Sequence, residues 1–230
     1  QVPVMQVVEV RVLSWAPAVF AGITSPMTIR LHQGDLPADH HLGPMVAIDT
    51  ETLGLNPHRD RLCLVQLSRG DGSADLVQIP AGTAPAPNLQ KLLADPNVLK
   101  LFHFGRFDIA VLLNRFGVKT TPVYCTKIAS RLVRTYTDRH GLKDLTRELL
   151  GVDLSKQQQS SDWGAVELTE AQCAYAASDV LHLHELKAKL DVLLARENRT
   201  ALAHSCFDFL PARAALDLAG WDEIDIFAHS

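Results

Sequence analysis

The sequence predicts an α/β fold in which helices flank a mixed β-sheet. Strand patterns dominate the first half of the chain, and helical patterns dominate the second half. Residues 44–52 form an apolar run that ends in acidic residues, which is typical of a strand buried on both faces. Strands followed by helices that cross over them favour one sheet with an antiparallel edge.

The apolar or alternating patterns of β-strands occur in five segments. They are residues 27–33, 44–52, 61–70, 74–79 and 98–104. Gly70, Asp71 and Gly72 lie between the third and fourth of these segments, so those two strands are expected to form a hairpin.

Apolar spacing and helix-end residues predict the helices. They span residues 88–94, 107–117, 127–136, 141–151 and 169–196, and a short helix with an apolar tail is expected in 206–230. Asn88 and Thr126 are candidate N-caps. Thr169 and Gln172 form a capping-box pattern. Residues 155–163 are polar and lack periodicity, so they are expected to form a loop.

Composition places the chain among globular proteins with one sizeable domain. It has 230 residues, of which 47% are hydrophobic and 21% charged, with a net charge of −4. An acidic balance disfavours binding of a long nucleic-acid duplex, which requires many phosphate contacts from lysine and arginine. The four cysteines include no CxxC pair, which indicates reduced thiols and a cytoplasmic protein.

The first 26 residues differ from the rest of the chain. They are apolar but interrupted by prolines, and they lack the basic start of a secretory signal and the unbroken apolar length of a membrane span. Residues 1–26 are therefore expected to be an N-terminal extension, disordered or non-native, and residues 27–230 to form the domain. No membrane partner is expected.

Acidic residues in three distant segments predict a metal site. Asp49 and Glu51 are two apart on one strand and share a face at its carboxyl end. Asp108 falls in the first turn of a helix, while Tyr175 and Asp179 are one helical turn apart. Each pattern alone is common, but together they predict a cluster of oxygen ligands for Mg²⁺ or Mn²⁺.

The expected chemistry is two-metal phosphodiester hydrolysis, with the metals about 4 Å apart. Asp49 bridges both metals, Glu51 and Asp179 complete the first, and Asp108 helps to hold the second. Tyr175 orients the attacking water. Two alternatives stay open: a broader exonuclease that trims longer RNA or DNA ends, and a catalytically silent binding or scaffold module of the same fold.

Three motifs carry a resemblance to a known family. DTETLGL (49–55), HFGRFD (103–108) and YAASD (175–179) resemble the exonuclease motifs of the DEDD 3′–5′ exonucleases, and the tyrosine marks the DEDDy branch that includes ribonuclease D. Over residues 27–230 the chain is similar to the NrnC-type oligoribonucleases of alphaproteobacteria. The resemblance implies a ribonuclease H-like (DnaQ-type exonuclease) fold and two divalent metal ions. It also implies release of 5′-mononucleotides from short RNA, dinucleotides above all, by a homo-octamer.

Substrate-binding candidates surround the motifs. By the resemblance Leu55 is an apolar platform for the bases, although a leucine at a loop is as commonly a core residue. His103 and Phe104 have the same two interpretations, substrate contact or core packing. Lys156 and Gln158 are candidates for binding a terminal 5′ phosphate. The full set of substrate-binding candidates is Thr50, Leu53, Gly54, Leu55, His103, Phe104, Arg106, Lys156 and Gln158.

Overall fold

The computed structural model describes residues 8–11, 28–155 and 157–229. Within these ranges seven strands form one sheet, in the spatial order β1-β2-β5-β4-β3-β6-β7. The strands are β1 (Val8–Arg11), β2 (Thr28–Gln33), β3 (Met45–Thr52), β4 (Leu62–Ser68), β5 (Ser73–Gln78), β6 (Leu99–Phe102) and β7 (Val123–Cys125).

The sheet is mixed, as the sequence predicts. Strands β3, β4 and β5 form an antiparallel meander, so the hairpin expected at Gly70–Gly72 is confirmed. β2 runs parallel to β5 on one side, and β6 and β7 run parallel to β3 on the other. β1 adds an antiparallel edge beside β2. The expectation of one antiparallel edge was therefore incomplete, because antiparallel pairing also runs through the centre of the sheet.

β1 comes from the segment expected to be an extension. Its residues pair with β2 from Val8 opposite Leu31 to Arg11 opposite Thr28. The rest of that segment, residues 1–7 and 12–26, lies outside the described residues.

Seven α-helices occur in the described ranges. They are α1 (Pro87–Ala94), α2 (Arg106–Phe116), α3 (Thr126–Val133), α4 (Leu142–Leu150), α5 (Glu170–Leu181), α6 (Leu183–Arg196) and α7 (Thr200–Leu216), and a wider helical turn, Asp217–Trp221, follows the last of them. Gly117 ends α2 with a φ of 66°, as its position in the sequence predicts. None of the helices described here combines the length and apolar character needed to cross a lipid bilayer.

The predicted helix caps are partly confirmed. Thr169 and Gln172 form the expected capping box at the start of α5. Asn88 does not cap α1, because the Asp35 carboxylate accepts hydrogen bonds from the backbone N–H groups of Asn88 and Leu89, both at 2.9 Å. Thr126 does not cap α3 either. It is the first helical residue, and its hydroxyl donates to the carbonyl of Phe102 at 3.2 Å.

The long helix predicted to reach Arg196 is two helices, separated at His182. The break has a packing reason: α5 lies against β3, β4 and β5, whereas α6 packs against α3 and α4. One straight helix cannot follow both surfaces. α7 is longer than the short helix expected in residues 206–230, because it begins at Thr200, ahead of that segment, and does not end at the buried Pro211.

The predicted catalytic residues lie on three of these elements, β3, α2 and α5. The carboxyl ends of the parallel strands β3 and β6 lie at the same edge of the sheet, and α2 begins just after β6. α5 crosses the face of β3, β4 and β5. The edge where β3 ends therefore faces the first turn of α2 and the middle of α5.

Candidate active site

Carboxylates from β3 and α5 converge at this edge. Asp49 and Glu51, which alternate on β3 with Thr50 between them, share a face of the strand. Asp179 reaches them from α5, and one oxygen from each of the three residues lies within 4.8 Å of the others. The sequence-based prediction that these residues meet in space agrees with this arrangement.

Asp108 approaches the same place from the first turn of α2. Its side chain is buried, and its Oδ1 accepts a hydrogen bond of 2.6 Å from the hydroxyl of Thr50. Asp108 lines one cavity together with the three clustered carboxylates. The site thus brings together four acidic groups from three elements that are distant in the sequence.

The electrostatics of the cluster are unfavourable without a cation. Burial, together with the charges of Asp179 and Asp108, raises the pKa of Glu51 to about 9. Burial also raises the pKa of Asp108 and of Asp179 to about 7 each. The pKa of Asp49 rises for the same reason, and its three acidic neighbours add to the effect. Hard oxygen ligands that resist ionisation together fit a divalent cation such as Mg²⁺ or Mn²⁺.

Tyr175 lies one helical turn before Asp179 on α5. Its pKa is raised by burial and by the carboxylates of Asp179, Glu51 and Asp49, so the phenol keeps its proton. A hydrogen bond from Tyr175 lowers the pKa of Asp179. The ring of Trp163, buried at 3% exposure, lies 6.0 Å from the Tyr175 ring between centroids. Tyr175 is therefore a fixed hydrogen-bond donor beside the acidic cluster.

The cluster lies in a cavity of about 750 Å³. Six of the nine predicted substrate-binding residues line this cavity: Thr50, Leu53, Gly54, Leu55, His103 and Phe104. Leu53 and Leu55 are 53% and 86% exposed, which identifies them as surface rather than core leucines. Phe104 is 47% exposed and has a φ of 64°, a rare conformation for a phenylalanine. An apolar surface next to a charged centre can contact nucleobases.

The loop that carries Leu55 is held by its own side chains. Asp60 accepts a hydrogen bond from the backbone N–H of Asn56 at 3.0 Å, and Asn56 accepts one from the backbone N–H of His58 at 2.9 Å. A side chain at Gly54 would collide with the Asp60 carboxylate, so a larger residue there would displace Asp60 from its hydrogen bond with Asn56. Leu55 is thus presented to solvent by an ordered loop.

His103 is held in the neutral form. Its Nδ1 shares a hydrogen bond of 2.9 Å with the Thr126 hydroxyl. Burial, together with the nearby charge of Lys127, lowers the pKa of His103 to about 3. At neutral pH this histidine contributes no positive charge to the cavity.

Two of the described substrate-binding candidates do not line the cavity, and a third lies outside the described residues. Arg106 is paired with Asp217, with Nε 2.6 Å from Oδ2, and also donates to the carbonyl of Asp222 at 2.6 Å. Gln158 accepts a hydrogen bond from Ser161 at 2.6 Å, and three residues that follow it, Gln159, Ser160 and Ser161, line the cavity instead. Lys156 lies outside the described residues.

Two cavity lysines, Lys127 and Lys143, were not predicted from the sequence. The Nζ of Lys127 lies 4.0 Å from the centre of the Phe104 ring. Lys127 is the second residue of α3, which directly follows β7, a strand of three residues that the sequence patterns did not reveal. Had β7 been recognised as a parallel strand, its carboxyl end would have placed Lys127 beside β6 and the site.

Comparisons with known proteins agree with this geometry. A family model described as a 3′–5′ exonuclease matches residues 35–195. The ribonuclease D of Gluconacetobacter diazotrophicus is 38% identical over 156 residues, which cover 68% of this chain and 39% of that protein. The chain thus spans about two fifths of the length of this curated relative.

Two similar solved structures are of NrnC from Brucella melitensis. The structure with bound Mg²⁺ is 62% identical and has a TM-score of 0.85, and the match covers 89% of this chain and all of that one. The structure bound to pGG is 63% identical with a TM-score of 0.86 and the same coverage. The ribonuclease H-like fold and the NrnC-type resemblance predicted from the sequence are confirmed. The chain belongs to the 3′–5′ exonuclease family and, within it, to the NrnC-type nucleases.

Proposed function

We propose that this protein is a 3′–5′ exoribonuclease that hydrolyses short RNA, dinucleotides above all, to 5′-mononucleotides. The observation that carries the proposal is the convergence of Asp49, Glu51 and Asp179 within 4.8 Å, with Asp108 lining the same cavity. The similarity to an NrnC solved with pGG supports the choice of a short substrate.

The acidic cluster fits two divalent metal ions. Asp49, Glu51 and Asp179 would hold one ion, and Asp108 would hold the other together with Asp49. When bound, Mg²⁺ or Mn²⁺ lowers the pKa of the attacking water and stabilises charge on the leaving 3′ oxygen. An NrnC structure contains Mg²⁺, and the raised pKa values of the four carboxylates support the same metals here.

The remaining cavity residues bind and orient the substrate. The phenol of Tyr175, whose oxygen can accept a hydrogen bond while its proton is shared with Asp179, forms a hydrogen bond with the attacking water and sets its direction of approach. Leu55 and Phe104 offer exposed apolar surfaces for nucleobases. Lys127 and Lys143 supply positive charge for substrate phosphates. Gln159, Ser160 and Ser161 take the place of Gln158 as polar loop contacts in this scheme.

Cavity size favours a small substrate. A volume of about 750 Å³ lies within the roughly 300–1,000 Å³ that is typical of small-molecule sites. The test is the turnover of pGG against that of a seven-nucleotide RNA in Mg²⁺. We expect a higher kcat/KM for pGG. Equal values would favour the alternative of a broader exonuclease acting on longer RNA or DNA ends.

We also propose that the chain forms a homo-oligomer, an octamer as the resemblance to the NrnC-type oligoribonucleases implies. Apolar side chains are exposed near the carboxyl terminus: Trp221 at 44%, Ile224 at 54%, Ile226 at 43% and Phe227 at 76%. Such a group of exposed apolar residues supports a protein–protein contact.

A cytoplasmic location and the domain boundary at residue 27 belong to the same proposal. The four cysteines are all free thiols, which supports a reducing compartment. The exonuclease family match lies within residues 35–195, inside the proposed domain of 27–230.

A further inference from the structure

Thr50 lies between two acidic residues on β3, but its side chain contacts a third acidic residue, Asp108. Successive side chains of a strand point to opposite faces, so Thr50 points away from the face shared by Asp49 and Glu51. The first turn of α2 lies on that side, and the Thr50 hydroxyl donates to Oδ1 of Asp108 at 2.6 Å. The two side chains are 7% and 4% exposed.

This contact restrains the Asp108 carboxylate. The hydroxyl proton binds Oδ1, and hydrogen bonds from the backbone N–H groups of Thr50 and Asp108 also lower the pKa of this carboxylate, so the Thr50 hydroxyl is the side-chain member of a set of donors that fixes its orientation. The donor is neutral and adds no charge that would repel a cation. Asp49 has a weaker contact of this kind, since the Nε2 of the buried Gln66 lies 3.5 Å from its Oδ2. The Thr50 contact is much shorter and falls within the normal range for O–H···O bonds.

We propose that Thr50 is a positioning residue for the second divalent ion, because its hydroxyl holds Asp108 in the orientation that binds the metal. The proposal rests on the two-metal function proposed above. It gives Thr50 a role different from the substrate contact expected from the sequence. The motif residue between the two acidic ligands thereby links β3 to α2.

A purely structural link between β3 and α2 is the competing explanation. A structural link would lower thermal stability when removed but would leave metal binding to the folded protein unchanged. A positioning role predicts a selective loss of affinity at one of two metal sites. Metal binding by the folded, metal-free protein therefore distinguishes the two explanations.

The test uses Thr50→Val, which keeps the branched shape and removes the hydroxyl, and Thr50→Ser, which keeps the hydroxyl. Mn²⁺ is titrated into the full chain after metal removal, and binding is followed by calorimetry and by electron paramagnetic resonance. We expect wild type to bind two Mn²⁺ ions. Thr50→Val should bind one of them at least about tenfold more weakly, since hydrogen bonds to charged groups are worth roughly that much or more. Thr50→Ser should restore the affinity.

The outcomes separate this proposal from the proposed function. Two Mn²⁺ ions bound by Thr50→Val with wild-type affinity would overturn the role of Thr50 and leave the exonuclease intact. Failure of wild type to bind Mn²⁺ or to hydrolyse pGG would instead overturn the proposed function. Should Thr50→Val not fold, Thr50→Ser and Thr50→Ala supply the comparison, and equal Mn²⁺ affinities in these two variants would contradict the proposal.

Discussion

At the residue scale, the site is defined by four carboxylates that lie close together and are poorly exposed to solvent. Burial and mutual repulsion both disfavour their ionised forms, and the pKa of Glu51 rises to about 9 as a result. A folded protein tolerates such a cluster when a bound cation compensates the charge. The acidic cluster therefore serves metal binding rather than stability. Removing one carboxylate should lower activity more than it lowers the stability of the fold.

Replacing Asp108 should abolish turnover. Asp108→Asn keeps the size of the side chain but removes a charged metal ligand, so kcat for pGG should fall by about a thousandfold or more, a loss comparable with that of one transition-state stabilising group. Initial rates in saturating Mg²⁺ give the measurement. Asp153→Asn is the matched control, because Asp153 is an exposed aspartate whose partner is Arg147. Normal cleavage by Asp108→Asn would show that the metal assignment is wrong.

The role proposed for Tyr175 predicts a loss of reaction rate without a loss of metal binding. Tyr175→Phe removes only the phenol oxygen, so metal binding should persist while kcat falls by about 10²-fold, the scale of a positioned proton or water contact. Initial rates of pGG hydrolysis give kcat, and titration with Mn²⁺ gives the metal affinity, so the two measurements separate catalysis from metal binding. Tyr136→Phe serves as the control, since Tyr136 is 72% exposed. An unchanged kcat would exclude Tyr175 from the reaction.

The raised pKa values also predict how stability depends on pH in metal-free protein. Glu51 has a pKa of about 9 in the folded chain and an ordinary value near 4.5. The folded state therefore binds more protons than the unfolded state between these values, and stability falls as pH rises through this window. In EDTA, Tm should decrease from pH 7 to pH 9, and the decrease should be smaller in Glu51→Gln. The opposite slope, with Tm rising equally in both proteins, would contradict the burial of Glu51 as an acid.

At the scale of elements, the site depends on the ends of β3 and β6, on the first turn of α2 and on the part of α5 that carries Tyr175 and Asp179. Local patterns were sufficient to predict much of this. The spacing of Asp49 and Glu51 gave their shared face, and Gly117 and the Thr169–Gln172 capping box marked helix ends that the structure contains. These signals succeed because each depends on a few neighbouring residues.

The features that were missed depend on tertiary packing. The break at His182 arises because α5 and α6 pack on different surfaces, which no local pattern records. β7 is only three residues long, too short for a periodic signal. Lys127 lines the cavity because β7 places the start of α3 beside it. Arg106 does not line the cavity, because its side chain pairs with Asp217, which is 111 positions later in the chain.

The capping box of α5 allows a test at this scale. α5 carries both Tyr175 and Asp179, so its start should influence stability and the site together. Thr169→Ala should lower the free energy of unfolding by about 1 kcal/mol, the usual contribution of an N-cap. Thr200→Ala, at the exposed first turn of α7, is the control and should have a smaller effect. Urea denaturation measures both, and equal losses would argue against the cap.

At the scale of the whole molecule, net charge and surface agree with a small substrate and an assembled enzyme. The chain carries a net charge of −4, and positive charge at the cavity comes from Lys127 and Lys143. This distribution suits a substrate with few phosphates. The apolar residues near the carboxyl terminus lie on the surface of the single chain, where an oligomer would cover them.

The proposed assembly is tested by its mass in solution. Light scattering should give eight times the 25.3 kDa of one chain. Phe227→Glu places a charge on a side chain that is 76% exposed and should produce smaller species. Val192→Glu is the comparison, since Val192 is 68% exposed on α6. A wild-type protein that is monomeric would contradict the octamer.

The most direct measurement is the hydrolysis of pGG by the purified full chain, first in EDTA and then after addition of Mg²⁺ or Mn²⁺. We predict no cleavage in EDTA and conversion of pGG to 5′-GMP once the metal is supplied. Persistent cleavage in EDTA, or intact pGG at saturating metal, would contradict a metal-dependent nuclease built on Asp49, Glu51, Asp108 and Asp179.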